Sequence, residues 1–473
     1  MNQKIVGRKA EQEILEKIFT AREAHFLAIT GRRRVGKTHL IKTYFAQQLN
    51  FDFSGILNAT TAQQLNNFYY SIQQQLKPKK KVHAPANWIE AFQLLSQCLE
   101  AKSKKRIVVF IDELPWLDTH KSNFTAALDW FWNSWAAHKN VLLIVCGSST
   151  SWMMEKIVNS KGGLHNRITK RIDLSPFTLN ETEDFFSYKG YSFSRYHILQ
   201  LYMAMGGIPH YLKEIKKGES AAQAIHRICF QKSGLLVNEF DNLYSALFKN
   251  SEQHIQVIFA LSKKQNGLTR NEILAKLKTK DGGTFTKVLA ELEMCHFVLA
   301  QPPFGKSKKE TVYRLIDEFS LFYIQFMHKK KNVNWQQLAS SPTWKSWSGY
   351  AFENICLKHV HEIKRALGIS GIYTEESSFF QKGTRQTQGA QIDLLIDRND
   401  HAINLCEAKF YEQPFTITKK YAAELQNKMS VFKKTTGTTK TIFLTFISAQ
   451  GLTANMYSNQ LVHKNFDMNI FFR

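Results

Sequence analysis

The chain has 473 residues, 44% hydrophobic and 13% aromatic, which suits a folded protein and argues against a disordered or fibrous one. Lysine and arginine number 63 against 39 aspartates and glutamates, a formal charge of +24, so the surface field attracts polyanions, of which nucleic acid is the usual one. Six scattered cysteines argue against a zinc ribbon and give no disulfide framework, and the absence of a membrane-length apolar run or a signal peptide points to a cytoplasmic, membrane-free protein.

This length predicts two or three domains. From residue 1 to about 245, helical patterns alternate with short apolar strands at 25–30, 107–111, 141–146 and 171–174. Such alternation predicts an α/β domain with a mostly parallel sheet, and the near-continuous apolar runs predict helices on both faces. A helical subdomain is expected from about 178. Gly31-Arg-Arg-Arg-Val-Gly-Lys-Thr38 fits G-x-x-x-x-G-K-[ST], follows the first strand and opens a helix expected over 37–49. Gly31 and Gly36 permit a tight turn whose amides, with those of Arg32, Arg33, Arg34 and Val35, surround phosphates. The helix N-terminus, carrying His39, adds partial positive charge. Lys37 is expected on the β- and γ-phosphates of ATP, and the Thr38 hydroxyl on Mg²⁺.

About 75 residues on, the strand 107–111 runs into Asp112 and Glu113. Asp112 is expected near the metal and Glu113 as the group that polarises the attacking water. Ser148, after the next strand, stands where a γ-phosphate-sensing hydroxyl would be. Arg167 is the first choice for a γ-phosphate contact, in cis or from a neighbouring subunit, which leaves a homo-oligomer open; Arg171 is the second.

Residues 246–330 read as helices at 253–263, after Thr269 and at 284–293, then strands at 297–301 and 311–316 around a basic turn. Thr269 with Glu272 three positions on forms a capping-box pattern. Three helices and a basic hairpin predict a winged helix-turn-helix; the alternative is a helical lid or spacer that binds no DNA. Lysine-rich runs at 77–81, 102–106, 306–309 and 329–331 add to a DNA-binding expectation.

The segment 340–473 reads as a small α/β domain with a helix at 348–367, strands at 391–397, 402–410 and 441–446, and a helix at 421–432. A turn centred near Asp400 makes the first two strands a hairpin that sets Asp393 opposite Glu407. Glu407 and Lys409, two apart, share a face. Two carboxylates and an amine converging on one spot suit Mg²⁺-assisted phosphodiester cleavage, with Glu353 on the preceding helix as a third carboxylate.

Two resemblances follow from these residues. The loop, together with Val6-Gly-Arg-Lys-Ala-Glu11, Phe110-Ile-Asp-Glu-Leu-Pro-Trp, Leu174-Ser-Pro-Phe and Met205-Gly-Gly-Ile-Pro209, resembles the archaeal-type P-loop ATPases of the AAA+/STAND group. That resemblance implies that Gly7 and Arg8 lie by the adenine, and that 206–209 belongs to a helical subdomain packing over the nucleotide. The C-terminal order of helix-Glu, strand-Asp, strand-Glu-x-Lys resembles the PD-(D/E)xK restriction-endonuclease-like fold. The expectation is therefore an ATP-driven enzyme that holds DNA and cuts or grips it. The competing expectation is an ATP-dependent regulatory switch whose C-terminal domain binds without cutting.

Overall fold

The computed structural model describes residues 4–78, 82–100, 106–158, 166–248, 250–329, 333–384 and 388–473. Most of the lysine-rich runs at 77–81, 102–106 and 329–331 lies outside them. The chain divides into two compact units, Met1–Pro176 with Leu243–Lys249, and Phe177–Asn242 with Asn250–Arg473.

The first unit holds a parallel five-stranded sheet of β1 (His25–Thr30), β2 (Leu49–Ser54), β3 (Ile107–Asp112), β4 (Val141–Cys146) and β5 (Lys170–Asp173), in the order β2-β3-β4-β1-β5. Every residue of β3 and β4 is buried, as expected for central strands covered on both faces. One face packs on helices Thr61–Leu76, Trp88–Glu100 and Phe124–Ser134, through an aromatic core in which Phe92 stacks on Phe131 at 5.0 Å and Trp88 meets Phe124 edge-on at 4.9 Å. The helix expected over 37–49 stops at Tyr44, and β2 starts at Leu49. Phe51 and Phe53 point into the core while Asp52 stays partly exposed, the alternation of an edge strand.

In the second unit, the helices Leu179–Tyr188, Arg195–Met205 and Ala221–Cys229 precede a small module. The module combines helices Ser251–Ser262, Arg270–Leu277 and Gly283–Met294 with a three-stranded sheet of β6 (Leu268–Thr269), β7 (Val298–Gln301) and β8 (Val312–Leu315), ordered β6-β8-β7. Thr269 caps its helix, and Glu272 returns the bond to the Thr269 amide, which completes the capping box. Helix Arg195–Met205 packs against helices Glu318–Phe322 and Pro342–Lys358. Its C-terminal Gly206-Gly207 turn lies so close to Phe177 that a Cβ on Gly207 would stand 1.9 Å from the Phe177 carbonyl oxygen.

A mixed five-stranded sheet completes this unit: β9 (Thr374–Gln381), β10 (Ala390–Arg398), β11 (Ala402–Lys409), β12 (Thr441–Ser448) and β13 (Lys464–Phe466), in the order β13-β12-β11-β10-β9. The β10–β11 hairpin is antiparallel with Leu394 opposite Cys406, and Asp393 and Glu407 are the residues next to that pair. Helix Lys419–Thr436 carries the chain from β11 to its parallel neighbour β12.

The single helix expected over 348–367 is two, Pro342–Lys358 and Val360–Leu367, broken at His359. This imidazole is 3% exposed; its Nδ1 lies 2.9 Å from the Ile355 carbonyl, and its Nε2 accepts the Leu179 amide at 3.4 Å. Burial drives its pKa from 6.5 down to about 4. The folded value thus lies below the unfolded one, so below pH 6.5 the unfolded chain gains a proton that the folded chain refuses until about pH 4. Stability is therefore expected to fall as pH drops through that window, by up to roughly 3 kcal/mol from this residue. Urea unfolding at pH 7 and pH 4.5 checks this: His359→Asn should show a shallower acid loss than wild type, and an unchanged slope would assign the loss elsewhere.

Candidate functional site

The turn after β1 is shaped by two glycines with different duties. Gly31 has φ of 130°, and a Cβ there would lie 2.3 Å from the carbonyl oxygen of Leu174, the residue after β5. Gly36 has φ of 98°, but a Cβ there would meet nothing within 4 Å. The first glycine is needed for packing and the second for backbone conformation beside open space. Helix Lys37–Tyr44 begins directly after Gly36, so its unpaired amides and positive end face that space. The Lys37 ammonium is buried and donates to the carbonyls of Gly31 at 2.7 Å and Arg32 at 3.0 Å, which holds it across the turn. Arg8, in a left-handed conformation after Gly7, is also buried and donates to the Val35 carbonyl at 3.2 Å. The N-terminal segment is thereby joined to the loop.

At the C-terminal end of β3, Asp112 accepts three hydrogen bonds. The Thr38 hydroxyl donates to its Oδ2 at 2.6 Å; the Cys146 thiol at 2.5 Å and the Glu113 amide at 2.8 Å donate to Oδ1. Burial, then the negative charge of Asp112, pushes the Cys146 pKa well up, so the thiol remains a neutral donor. Thr38 and Asp112, the two oxygen ligands expected to share Mg²⁺, are in direct contact, and a hydroxyl with a carboxylate is the donor chemistry that ion prefers. An open cradle at Gly36, a buried ammonium and this oxygen pair fit a magnesium-bound nucleotide.

Glu113 follows in a left-handed conformation at φ 51°, and its Oε2 accepts the Ser148 amide at 3.0 Å and the Ser148 hydroxyl at 2.8 Å. Ser148, expected to sense a phosphate, is placed on Glu113. His39 is exposed on the helix after the loop, with Nδ1 3.4 Å from the Thr43 hydroxyl. Arg33 and Arg34 are partly exposed within the turn. Arg167 and Arg171 are exposed, one in the turn ahead of β5 and the other on β5 itself. The Cys146 and Arg8 contacts were not foreseen; a cysteine ending the strand beside β3 is the only local hint of the first.

The C-terminal carboxylates are brought together, but each is already engaged. Glu407, 6% exposed, accepts from the Tyr421 hydroxyl at 2.5 Å, Lys428 Nζ at 2.7 Å and Lys409 Nζ at 3.0 Å. Burial alone would raise its pKa, yet the charges of Lys428 and Lys409, with hydrogen bonds from Lys428 and Tyr421, hold it below the ordinary value. Lys409 is likewise opposed by burial and held protonated by Glu407, which makes it a fixed cation in this arrangement rather than a base. Arg314 of β8 reaches Asp393 Oδ1 through Nη1 at 3.3 Å and Glu353 Oε2 through Nη2 at 3.4 Å. Burial, reinforced by the charge of Asp393 and only partly offset by Arg314, raises the Glu353 pKa to about 7. Gln391 Nε2 also donates to Asp393 at 3.1 Å. Among the described residues, no group of three or more histidine, cysteine, aspartate or glutamate side chains is arranged to hold a metal ion. Glu353, Asp393 and Glu407 therefore do not fit a metal as arranged, because basic side chains stand where it would. Arg314, Tyr421 and Lys428 were not foreseen; an arginine inside the otherwise apolar β8 is the one sequence signal for the first.

Comparison with known proteins bears on the segment that carries the first of these sites. Residues 5–215 match the family model of an ATPase domain predominantly from Archaea. This segment is similar to archaeal-type ATPase domains. The chain is 21% identical over 432 residues to an uncharacterized protein of Methanocaldococcus jannaschii, covering 89% of this chain and 91% of that one. The Walker-type ATPase of Pyrococcus abyssi aligns with a TM-score of 0.50 at 18% identity, over 67% of this chain and 95% of that one, which supports a P-loop ATPase fold. Among the described residues no helix is long and apolar enough to cross a membrane.

The two loop glycines of the ATPase domain should separate by experiment. Gly31→Ala drives a methyl into the Leu174 carbonyl and is expected to cost about 3 kcal/mol or more, read as a large drop in Tm. Gly36→Ala is expected to cost about 1–2 kcal/mol from its backbone conformation, and to abolish the thermal shift that ATP with Mg²⁺ gives the wild type. Equal loss of stability in both variants would contradict this division.

Proposed function

We propose that the chain binds and hydrolyses ATP with Mg²⁺ at the loop after β1, holds DNA, and acts on it through the 340–473 domain. The observation that carries the ATPase reading is the 2.6 Å contact of Thr38, in the first turn of the helix after the loop, with Asp112 at the end of β3. In this reading Lys37 leaves the loop carbonyls for the β- and γ-phosphates, where it offsets developing charge. The bound ion would be held by Thr38 and Asp112 and supplies electrostatic stabilisation of the phosphates. Glu113 orients and polarises the attacking water once it turns from Ser148. Arg167 remains the proposed γ-phosphate contact, from the same chain or from a second copy in a homo-oligomer. A cytoplasmic setting fits this nucleotide chemistry.

The DNA-binding part rests on the net charge and on the 246–330 module, which we read as a winged helix-turn-helix. Its third helix starts with exposed Thr284, Thr286 and Lys287, and its β7–β8 connection carries exposed Lys306, Lys308 and Lys309. For 340–473, Asp393 and Glu407 on a hairpin, Lys409 beside them and Glu353 on the flanking helix support a PD-(D/E)xK nuclease-like reading. The Arg314 contact favours a second reading, an ATP-dependent switch whose C-terminal domain binds but does not cut.

Lys37→Ala is expected to lose nucleotide affinity in a calorimetric titration. Glu113→Gln should bind ATP yet turn it over about 10²-fold more slowly; turnover at the wild-type rate would remove Glu113 from its role. Glu407→Ala and Lys409→Ala should each abolish plasmid cleavage in Mg²⁺ or Mn²⁺ while ATP hydrolysis persists. Equal nicking by wild type and both variants would remove the nuclease reading, and DNA binding without cutting would favour the switch.

A further inference from the structure

We propose that Arg314 is a built-in competitor for divalent metal at Glu353 and Asp393, so that this site takes up Mg²⁺ only when β8 withdraws its guanidinium. The inference rests on the nuclease-like reading of those carboxylates.

Three acidic groups, Glu353, Asp393 and Glu407, face three basic ones, Arg314, Lys409 and Lys428. A divalent ion placed at Glu353 and Asp393 while Arg314 stays would set three positive charges against at most the two negative ones of these carboxylates, which a largely buried site resists strongly. Geometry points the same way. Arg314 spreads its two terminal nitrogens over one oxygen of each carboxylate, which are the lone pairs a bridging ion would need. Metal and guanidinium therefore exclude one another.

The guanidinium is held without being locked. Its contacts of 3.3 and 3.4 Å are long beside the roughly 2.7–2.9 Å of a strong charge-assisted hydrogen bond. Among the described residues its buried Nε has no hydrogen-bond partner, and besides the two carboxylates the guanidinium meets only Tyr350, by a side-chain hydrogen bond and with the ring 5.1 Å away. Withdrawal needs space, and a cavity of about 350 Å³ lies alongside, lined in part by Lys264, Asn266, Lys306, Arg314, Gln391 and Asp393. A second fastening borders it: Asn266 and Gln391 exchange hydrogen bonds of 2.5 and 2.6 Å through their amides. The three-stranded module is thereby fixed to the same end of β10 that carries Asp393. Opening the module along this seam would release both carboxylates together.

The test is Mn²⁺ binding by the full chain, read by electron paramagnetic resonance of the free ion. A Thr38→Ala, Asp112→Asn background removes the metal ligands of the nucleotide site. Adding Arg314→Met is expected to tighten Mn²⁺ binding about tenfold or more, and adding Asp393→Asn as well should erase the gain. If the background already binds as tightly as the Arg314→Met variant, Arg314 is no competitor, while the nuclease-like reading stands. Should neither bind, the carboxylates are no metal site and both readings fall. Arg314→Met leaves carboxylates unpaired and can misfold, so Asn266→Ala serves as the second variant: it loosens the seam without touching the acidic groups. A smaller gain in Mn²⁺ affinity at unchanged secondary structure supports the proposal, and a folded Asn266→Ala with no gain overturns it.

Discussion

A carboxylate withdrawn from water has to be met by donors or cations, and this constraint organises both halves of the chain. Asp112 collects the Thr38 hydroxyl, the Cys146 thiol and the Glu113 amide; Glu113 rests on Ser148. Glu407 is enclosed by Tyr421, Lys409 and Lys428, while Asp393 and Glu353 share Arg314. Leaving any one unmet would cost on the order of 1–3 kcal/mol or more, so the elements that supply these partners are bound to the strands that carry the acids.

The partners differ in kind. Around Asp112 they are neutral, and a cation can join the Thr38–Asp112 pair without first removing a charge. Around the C-terminal acids each set of partners includes a cation, and a metal has to displace one. The same residue types thus sit among neutral donors in the first unit and beside cations in the second.

Local signals in the sequence carried a good part of this. The ends of β1 and β4 coincide with their apolar runs, and the Thr269–Glu272 cap is a pattern four residues long. The β10–β11 hairpin, with Leu394 opposite Cys406, follows from turn position alone. Edge strands were less legible: β2, β9 and β13 read Leu-Asn-Phe-Asp-Phe-Ser, Thr-Glu-Glu-Ser-Ser-Phe-Phe-Gln and Lys-Asn-Phe, with too few buried positions to mark a period. The helix break at His359 was invisible because nothing near it is proline or glycine. Arg314 and Asp393 are 79 positions apart, and no local rule pairs an arginine with an acid on a different sheet. In the same way, Ser148 was legible as a strand-end hydroxyl but its partner was not.

Cys146 carries one further consequence. Oxidants and alkylating reagents attack the thiolate, and a fully buried thiol donating to Asp112 is kept in the unreactive protonated form. This sulfur beside Asp112 is thereby insulated from redox chemistry while the domain stays folded. Its modification then requires the sheet to open, which makes slow labelling of Cys146 a reporter of that opening.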